Sequence, residues 1–376
     1  MAFGGRTGGA AVDVVVVGGG VIGCAVARKA ALGGLSVVVV ERGRPGAEAS
    51  SAAAGMLSPL AEANEPGAFL DLLLRARAEY PDFVDALRSE TGADVAYSGA
   101  GTLYVALREE DEAELEERLH WQSAAGLGVE RLTADEARAL EPALSPHVRW
   151  ALRFAGDHQV DNRRLALALW SAAARAGAEF RLGCDVASVL REGDRVAGVE
   201  LAGGERIAAE AVVLAGGCWA GRLSGLPRPL PVEPVMGQLV SVETLPPTFR
   251  HVVDSPRCYL VPRADGRLIV GATAERVGYR RAVTPAGVMR LLAGALEIAP
   301  SLADAPLAET WSGLRPGTPD GLPILGRDPD LSNLLYATGH FRNGILLAPI
   351  TGEIVGALLL GEDAAVDLAP FAIDRF

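Results

Sequence analysis

Lysine is almost absent from this chain. Lys29 is the lone lysine among 35 basic residues, and it follows a glycine cluster on a stretch of helical spacing that faces no obvious pocket. Enzymes that work through a lysine imine need that amine in the site, so Schiff-base chemistry is excluded. Cysteine is scarce as well: Cys24, Cys184, Cys218 and Cys258 lie far apart, with no CxxC pair and no histidine at ligand spacing. That leaves neither a zinc site nor a disulfide framework and suits a reducing compartment. His158 and the other four histidines form no acid–base constellation, and no metal is expected.

Long apolar runs are missing too. No stretch reaches the roughly 18 residues of a bilayer-spanning helix, and the opening MAFGGRTGGA lacks the apolar centre of a signal peptide. Positive charge is in deficit, with a formal net charge of −12. Proteins that neutralise phosphates need concentrated Lys and Arg, so no nucleic acid partner is expected, and no basic patch favours an anionic membrane. The sequence describes a soluble cytoplasmic protein with a disordered leader over residues 1–10.

What the chain does have is glycine set between runs of valine. Asp13–Gly43 reads DVVVVGGGVIGCAVARKAALGGLSVVVVERG. Val14–Val17 and Val37–Val40 are unalternating β-branched runs, as in strands buried on both faces of a parallel sheet, and the segment between them has helical spacing. Gly18, Gly20 and Gly23 make G-x-G-x-x-G directly after the first strand. The first glycine allows a tight turn, the second lets a pyrophosphate approach the backbone, and the third lets the helix pack on the strand. The helix amides then face the phosphates. Glu41 ends the second strand about 20 residues on, where it accepts from ribose hydroxyls and repels a 2′-phosphate.

A length of 376 residues exceeds one ordinary domain of about 100–200 residues. Strand-then-glycine punctuation recurs at EAVVLAGGCWAG (Glu210–Gly221) and at NLLYATGHFRNG near the end. One sheet holding all three strands requires a second domain inserted in pieces. The expected class is α/β: a Rossmann-like nucleotide domain from residues 11–90, 145–220 and 307–376. It is interleaved with an α+β domain on a mainly antiparallel sheet from residues 91–144 and 221–306. Helices are expected near 69–91, 108–126 and 165–176, and a strand over 180–190. Residues 258–273 read as a hairpin turning on Asp265-Gly266. That register sets Tyr259 opposite Ala272, with Ala274 diagonal to it.

There is no second G-x-G-x-x-G for a nicotinamide nucleotide. GHFRNGILLAP (Gly339–Pro349) instead puts a second helix start into the nucleotide region, and a positive helix end favours a reduced, anionic isoalloxazine. The reading is a flavoenzyme reduced by its own substrate.

SSAAAGMLSP (Ser50–Pro59), CYLVPR (Cys258–Arg263), WSGLRPGTPDGLPILG (Trp311–Gly326), GHFRNGILLAP and the closing FAIDRF, together with the loop at Glu41, resemble the glycine oxidases of thiamine biosynthesis. These belong to the D-amino acid oxidase and sarcosine oxidase group, and the resemblance runs over nearly the whole chain. It implies non-covalent FAD, since Cys258 lies outside the motifs nearest the flavin. It implies oxidation of glycine, sarcosine and small D-amino acids to the imine and then the 2-oxo acid, with O2 reduced to H2O2, and a supply to thiazole synthesis. A homo-oligomer is expected. The alternatives are a D-amino acid dehydrogenase passing electrons to quinone and a non-catalytic flavin-binding module.

Residue by residue, the resemblance assigns Val21, Ile22, Glu41, Arg42, Ser50, Ser51, Ala54, Gly55, Met56 and Val186 to FAD. It assigns His340, Phe341, Arg342, Asn343, Gly344, Ile345 and Leu346 to the loop around the flavin ring. Arg315, Tyr259 and Arg342 become the substrate residues. An Arg–carboxylate pair orients an amino acid by two parallel hydrogen bonds, Tyr259 adds a hydroxyl, and no side-chain base is required. Relatives that act on glycine carry a bulkier residue at Ala274, so a methyl there leaves room for D-alanine or D-proline.

Overall fold

The computed structural model describes residues 11–63 and 65–376; the leader expected over residues 1–10 lies outside the described residues. Among the described residues, two eight-stranded sheets and a two-stranded ribbon form the scaffold. In the first sheet, Val12–Val17 pairs in parallel with Val37–Glu41 on one side and with Arg206–Leu214 on the other. Leu334–Thr338 continues in parallel beyond Arg206–Leu214. The three glycine-punctuated strands are therefore neighbours, as the sequence requires. Val14–Val17 and Val37–Val40 are all buried, each side chain contributing roughly 1.5–3 kcal/mol on leaving water.

The helices Val21–Leu32 and Gly344–Leu359 cross this sheet in close contact. A Cβ on Gly352 would stand 3.0 Å from the Ala25 backbone, so small residues set the spacing. Lys29 lays its stem over Gly356 and ends in an ion pair with Glu353 at 2.5 Å. The lone lysine is an outer clip between two helices.

The second sheet runs Leu307–Gly317, Glu233–Glu243, Arg267–Gly271, Tyr259–Pro262, Val252–Asp254, Thr102–Ala106, Trp150–Phe154, Glu130–Thr133. All its pairings are antiparallel except that of Val252–Asp254 with Thr102–Ala106. Trp150–Phe154 and Leu307–Gly317 lie here, although the expected segments 145–220 and 307–376 put them with the nucleotide domain. Each follows another strand of the second sheet, Glu130–Thr133 and Arg267–Gly271, through a helix, and the chain returns to the first sheet only after it; nothing in their composition marks which sheet they join. The strand expected over 180–190 is broken at Gly183, which has φ +71°. Glu179–Leu182 closes the first sheet, and Val186–Glu192 starts an antiparallel ribbon on it.

The 258–273 hairpin forms with a different loop. Arg263 N donates to Arg267 O at 2.8 Å, and Gly266 N donates to Arg263 O at 3.0 Å. The loop thus holds three residues, Ala264 to Gly266, with Gly266 at φ +88°, the arrangement of a type I turn closed by a left-handed glycine. The extra loop residue shifts the register by one, and Tyr259 faces Gly271 rather than Ala272. Ala274 is exposed and stands outside the cavity wall, so the space attributed to it is not part of the site.

Candidate active site

The two sheets meet around a cavity of about 500 Å³, within the size range of small-molecule and cofactor sites. One wall comes from the first sheet: Gly18, Gly20, Val21, Ile22, Glu41 and Val186. Gly18 takes φ +105°, and a Cβ there would stand 2.7 Å from Ala215 O. Gly23 lies beneath, where a Cβ would stand 1.9 Å from Gly18 O, so its part is helix packing. Glu41 Oε2 accepts from Gly19 N at 2.8 Å, and Oε1 accepts from Gly43 N at 2.7 Å. Each oxygen keeps a lone pair for another donor. Val186 follows Cys184, whose amide donates to Glu41 O at 3.2 Å.

The segment after this loop is gripped by side chains that sequence reasoning passed over. Asn162 Nδ2 donates to Ser50 O at 2.8 Å and to Ser51 O at 3.1 Å. The buried Arg263 donates to Val160 O, Ala54 O and Asn162 Oδ1, and burial pushes its guanidinium pKa down to about 10. Ala54, Gly55 and Met56 are thereby held on the cavity wall. Ser50 Oγ accepts from Val21 N at 3.1 Å. The Ser51 hydroxyl turns away to Ala47 O and Glu48 O, and Leu346 is packed in the core of the first sheet. Those two expected contacts do not present their side chains to the cavity. Helical periodicity explains both, because the neighbours one position earlier take the cavity-facing side.

Arg42 lies 3.5 Å over the Trp219 ring and donates to Glu48 at 2.7 Å; Arg281 donates to the other Glu48 oxygen at 3.0 Å. Trp219 Nε1 is buried on the cavity wall with no hydrogen-bond partner among the described residues. A buried donor left unsatisfied is costly, and an acceptor from a bound dinucleotide relieves it. The glycine loop, the acid on the second strand and this orphaned donor fit FAD. Trp219 follows the paired glycines Gly216 and Gly217 that end a buried strand, the signal that could have found it.

The other wall comes from the second sheet and the C-terminal loop: Gly237, Leu239, Tyr259, Gly313, Arg315 and the residues His340 to Ile345. Leu314 and Gly237 belong to strands paired in register, with Arg315 opposite Val235. Arg315 Nη1 donates to Thr273 O at 3.0 Å, and the guanidinium also donates to Tyr259. A Cβ on Gly237 would stand 2.4 Å from both Arg315 Nη atoms, and a Cβ on Gly271 would stand 2.5 Å from the Tyr259 ring and hydroxyl. Two glycines on adjacent strands leave the floor on which these side chains lie.

Burial lowers the pKa of Arg315, with the Tyr259 oxygen and other neighbours acting after it. Burial likewise raises that of Tyr259, so the phenol stays protonated and able to donate. Arg342 Nη2 donates to Glu62 Oε1 at 2.7 Å, and that carboxylate is the main cause of its raised pKa. Asp254, buried beside them, is pushed up to about 7 by burial first and the Glu62 charge second. His340 Nε2 meets Thr351 Oγ1 at 3.0 Å, and burial pushes its pKa down to about 3. It is neutral and turned toward the helix, so it is no base for a substrate; its loop, with Phe341, Asn343, Gly344 and Ile345, borders the cavity.

With nucleotide loop and acid on one wall and a second helix start and a buried arginine on the other, the class is a dinucleotide-dependent oxidoreductase. The chain belongs to the family of FAD dependent oxidoreductases, whose model matches residues 13–358. It is 39% identical over 369 residues to the glycine oxidase of Geobacillus kaustophilus, covering 96% of this chain and 97% of that one. The crystal structure of a glycine oxidase from that organism matches with a TM-score of 0.93 over 97% of this chain and 99% of the other. The bifunctional protein ThiO/ThiG of Trichormus variabilis is 38% identical over 368 residues, which takes 97% of this chain but 55% of that protein. This chain thus spans about half the length of that relative. The iminodiacetate oxidase of Chelativorans sp. is 29% identical, with a TM-score of 0.87 over 96% of this chain and 98% of the other.

Proposed function

We propose that this flavin-dependent amine oxidase takes glycine and other small amino acids, sarcosine and small D-amino acids among them, to the imine and 2-oxo acid. The observation that carries the reading is Arg315. It is a desolvated cation whose hydrogen-bond partners are a carbonyl and a phenol, not a carboxylate. A buried charge needs a counter-charge, and a small carboxylate entering the cavity supplies it.

FAD bound along the glycine-loop wall supplies the two-electron acceptor that O2 reoxidises with release of H2O2. The rest of the chemistry belongs to the chain. Arg315 grips the substrate carboxylate with the donors that Thr273 and Tyr259 leave over, and Tyr259 donates its hydroxyl to the same group. Gly237 and Gly271 fix the height of both above the sheet, which sets where the substrate Cα stands. Orientation of this kind accounts for a large share of rate enhancement without acid–base help. The neutral His340 removes no proton, so the substrate amine sheds its own on entering.

The division into a nucleotide unit and a substrate unit, delivery of the imine to thiazole synthesis, a cytoplasmic location and self-association belong to the same reading. No helix among the described residues is long and apolar enough to cross a membrane. A panel of amino acids assayed for H2O2 tests the substrates: turnover of glycine, sarcosine and D-alanine is expected, and peroxide from none of them rejects the reading.

A further inference from the structure

Two arginines border the substrate end of the cavity, and their situations differ. Arg315 meets neutral oxygens, whereas Arg342 is already occupied by Glu62 at 2.7 Å. The Glu62 side chain is 16% exposed and that of Arg342 45%, so the pair sits at the inner edge of the opening. Glu62 does not drift there on a loose loop. It ends the short helix Pro59–Glu62, whose backbone is gripped from two sides. Arg118 donates to the carbonyls of Leu60, Ala61 and Ala63, and Gln122 donates to Leu60 O at 2.8 Å. Asp157 accepts from the amides of Leu60 and Ala61 at 3.2 Å each. A carboxylate preset this way differs from an exposed ion pair, whose geometry costs side-chain entropy.

Two guanidinium groups and one carboxylate leave one positive charge at this end. Asp254, near both Glu62 and Arg342, is held toward its protonated form by burial and in that form leaves the count at one. A substrate with one carboxylate is therefore matched. A second anionic group would have to evict Glu62 from Arg342 or face it as a like charge, the repulsive half of a specificity device.

Resting on the amine-oxidase reading, we infer that Glu62 is a specificity-determining residue that restricts the site to amines bearing a single carboxylate. It does so by occupying Arg342 and opposing a second anion.

The test uses the FAD-loaded wild type, Glu62→Gln and Glu62→Asp. Acetate and malonate are titrated against the visible flavin band, and glycine and iminodiacetate are compared as substrates. In Glu62→Gln, malonate should tighten by about tenfold or more relative to acetate, and KM for iminodiacetate should fall relative to that for glycine. Glu62→Asp keeps the charge and should keep the wild-type ratio. An equal change for both anions in Glu62→Gln, no change for either, or loss of flavin from that variant overturns the assignment. Absence of any acetate effect together with no oxidation of glycine by the wild type overturns the amine-oxidase reading beneath it.

Discussion

The two walls of the cavity are built on different principles. The nucleotide wall is mostly local: Gly18 to Ile22 and Glu41 fall within one strand–helix–strand unit, with Val186 added from further along, and it presents backbone amides at a helix start. The substrate wall is assembled from strands at Gly237, Tyr259 and Arg315 and from the loop at Arg342, with Glu62 reaching in from far upstream. The first wall depends on backbone shape and tolerates most side chains. The second depends on a few side chains lying flat on glycine, so small changes there should be felt in substrate handling and not in cofactor retention.

The sharpest separation of the two walls is Arg315→Ala. It removes the buried cation proposed to receive the carboxylate, and KM for glycine should rise by about 10²-fold or more while the purified protein stays yellow. Loss of flavin with normal KM would reverse the roles of the walls. Next comes Gly237→Ala, whose methyl would stand 2.4 Å from the Arg315 guanidinium. Displacing an orienting group by about an ångström can cost up to roughly 10²-fold in rate. A kcat/KM lower by tenfold or more, at unchanged FAD content and melting temperature, is therefore expected, and an unaffected kcat/KM would show that the glycine floor is dispensable. The mirror experiment is Glu41→Ala on the nucleotide wall. The Kd for FAD, measured by reconstituting apoprotein, should rise about tenfold, with kcat restored at saturating FAD.

The smallest effect concerns pH. Burial raises the Asp254 carboxyl to about 7, above the roughly 4 of an unfolded aspartate, so the folded chain holds this proton more tightly. That stabilisation is fully present below about pH 4, is lost as pH rises toward 7 and is absent above it. Asp254→Asn should melt a few degrees higher than wild type at pH 8 and show little gain at pH 4. The same gain at both values would mean that the carboxyl is not the cause. Asp157, also raised to about 7 by burial, keeps its own share of the pH dependence in both proteins.

The nucleotide wall was legible in the sequence because its information is local: a valine run, three glycines at fixed offsets and an acid on the next strand. The three-strand core of the first sheet followed from the same punctuation. What could not be read is long-range. No local pattern says that Trp150–Phe154 and Leu307–Gly317 pair in the second sheet, since both sheets accept β-branched and aromatic residues alike. The hairpin at Asp265-Gly266 was recognised, but a two-residue and a three-residue loop share that dipeptide, and the one-residue difference moved Ala274 out of the site. Arg315, Tyr259 and Arg342 were assigned through motif resemblance, and all three line the cavity. Glu62, Trp219 and Arg263 were missed, because an acid on a short helix, a tryptophan after paired glycines and an arginine at a strand end have no signature until the sheets are assembled.

In the proposed reaction the Arg315 wall presents a small amino acid to FAD held on the other wall. Mixing the purified protein with glycine in the absence of O2 tests it directly. The visible flavin band should bleach, admitting air should restore it with release of H2O2, and Arg315→Ala should need far more glycine for the same bleaching. A band unchanged by glycine, sarcosine and D-alanine alike, in a protein that carries its FAD, would contradict it.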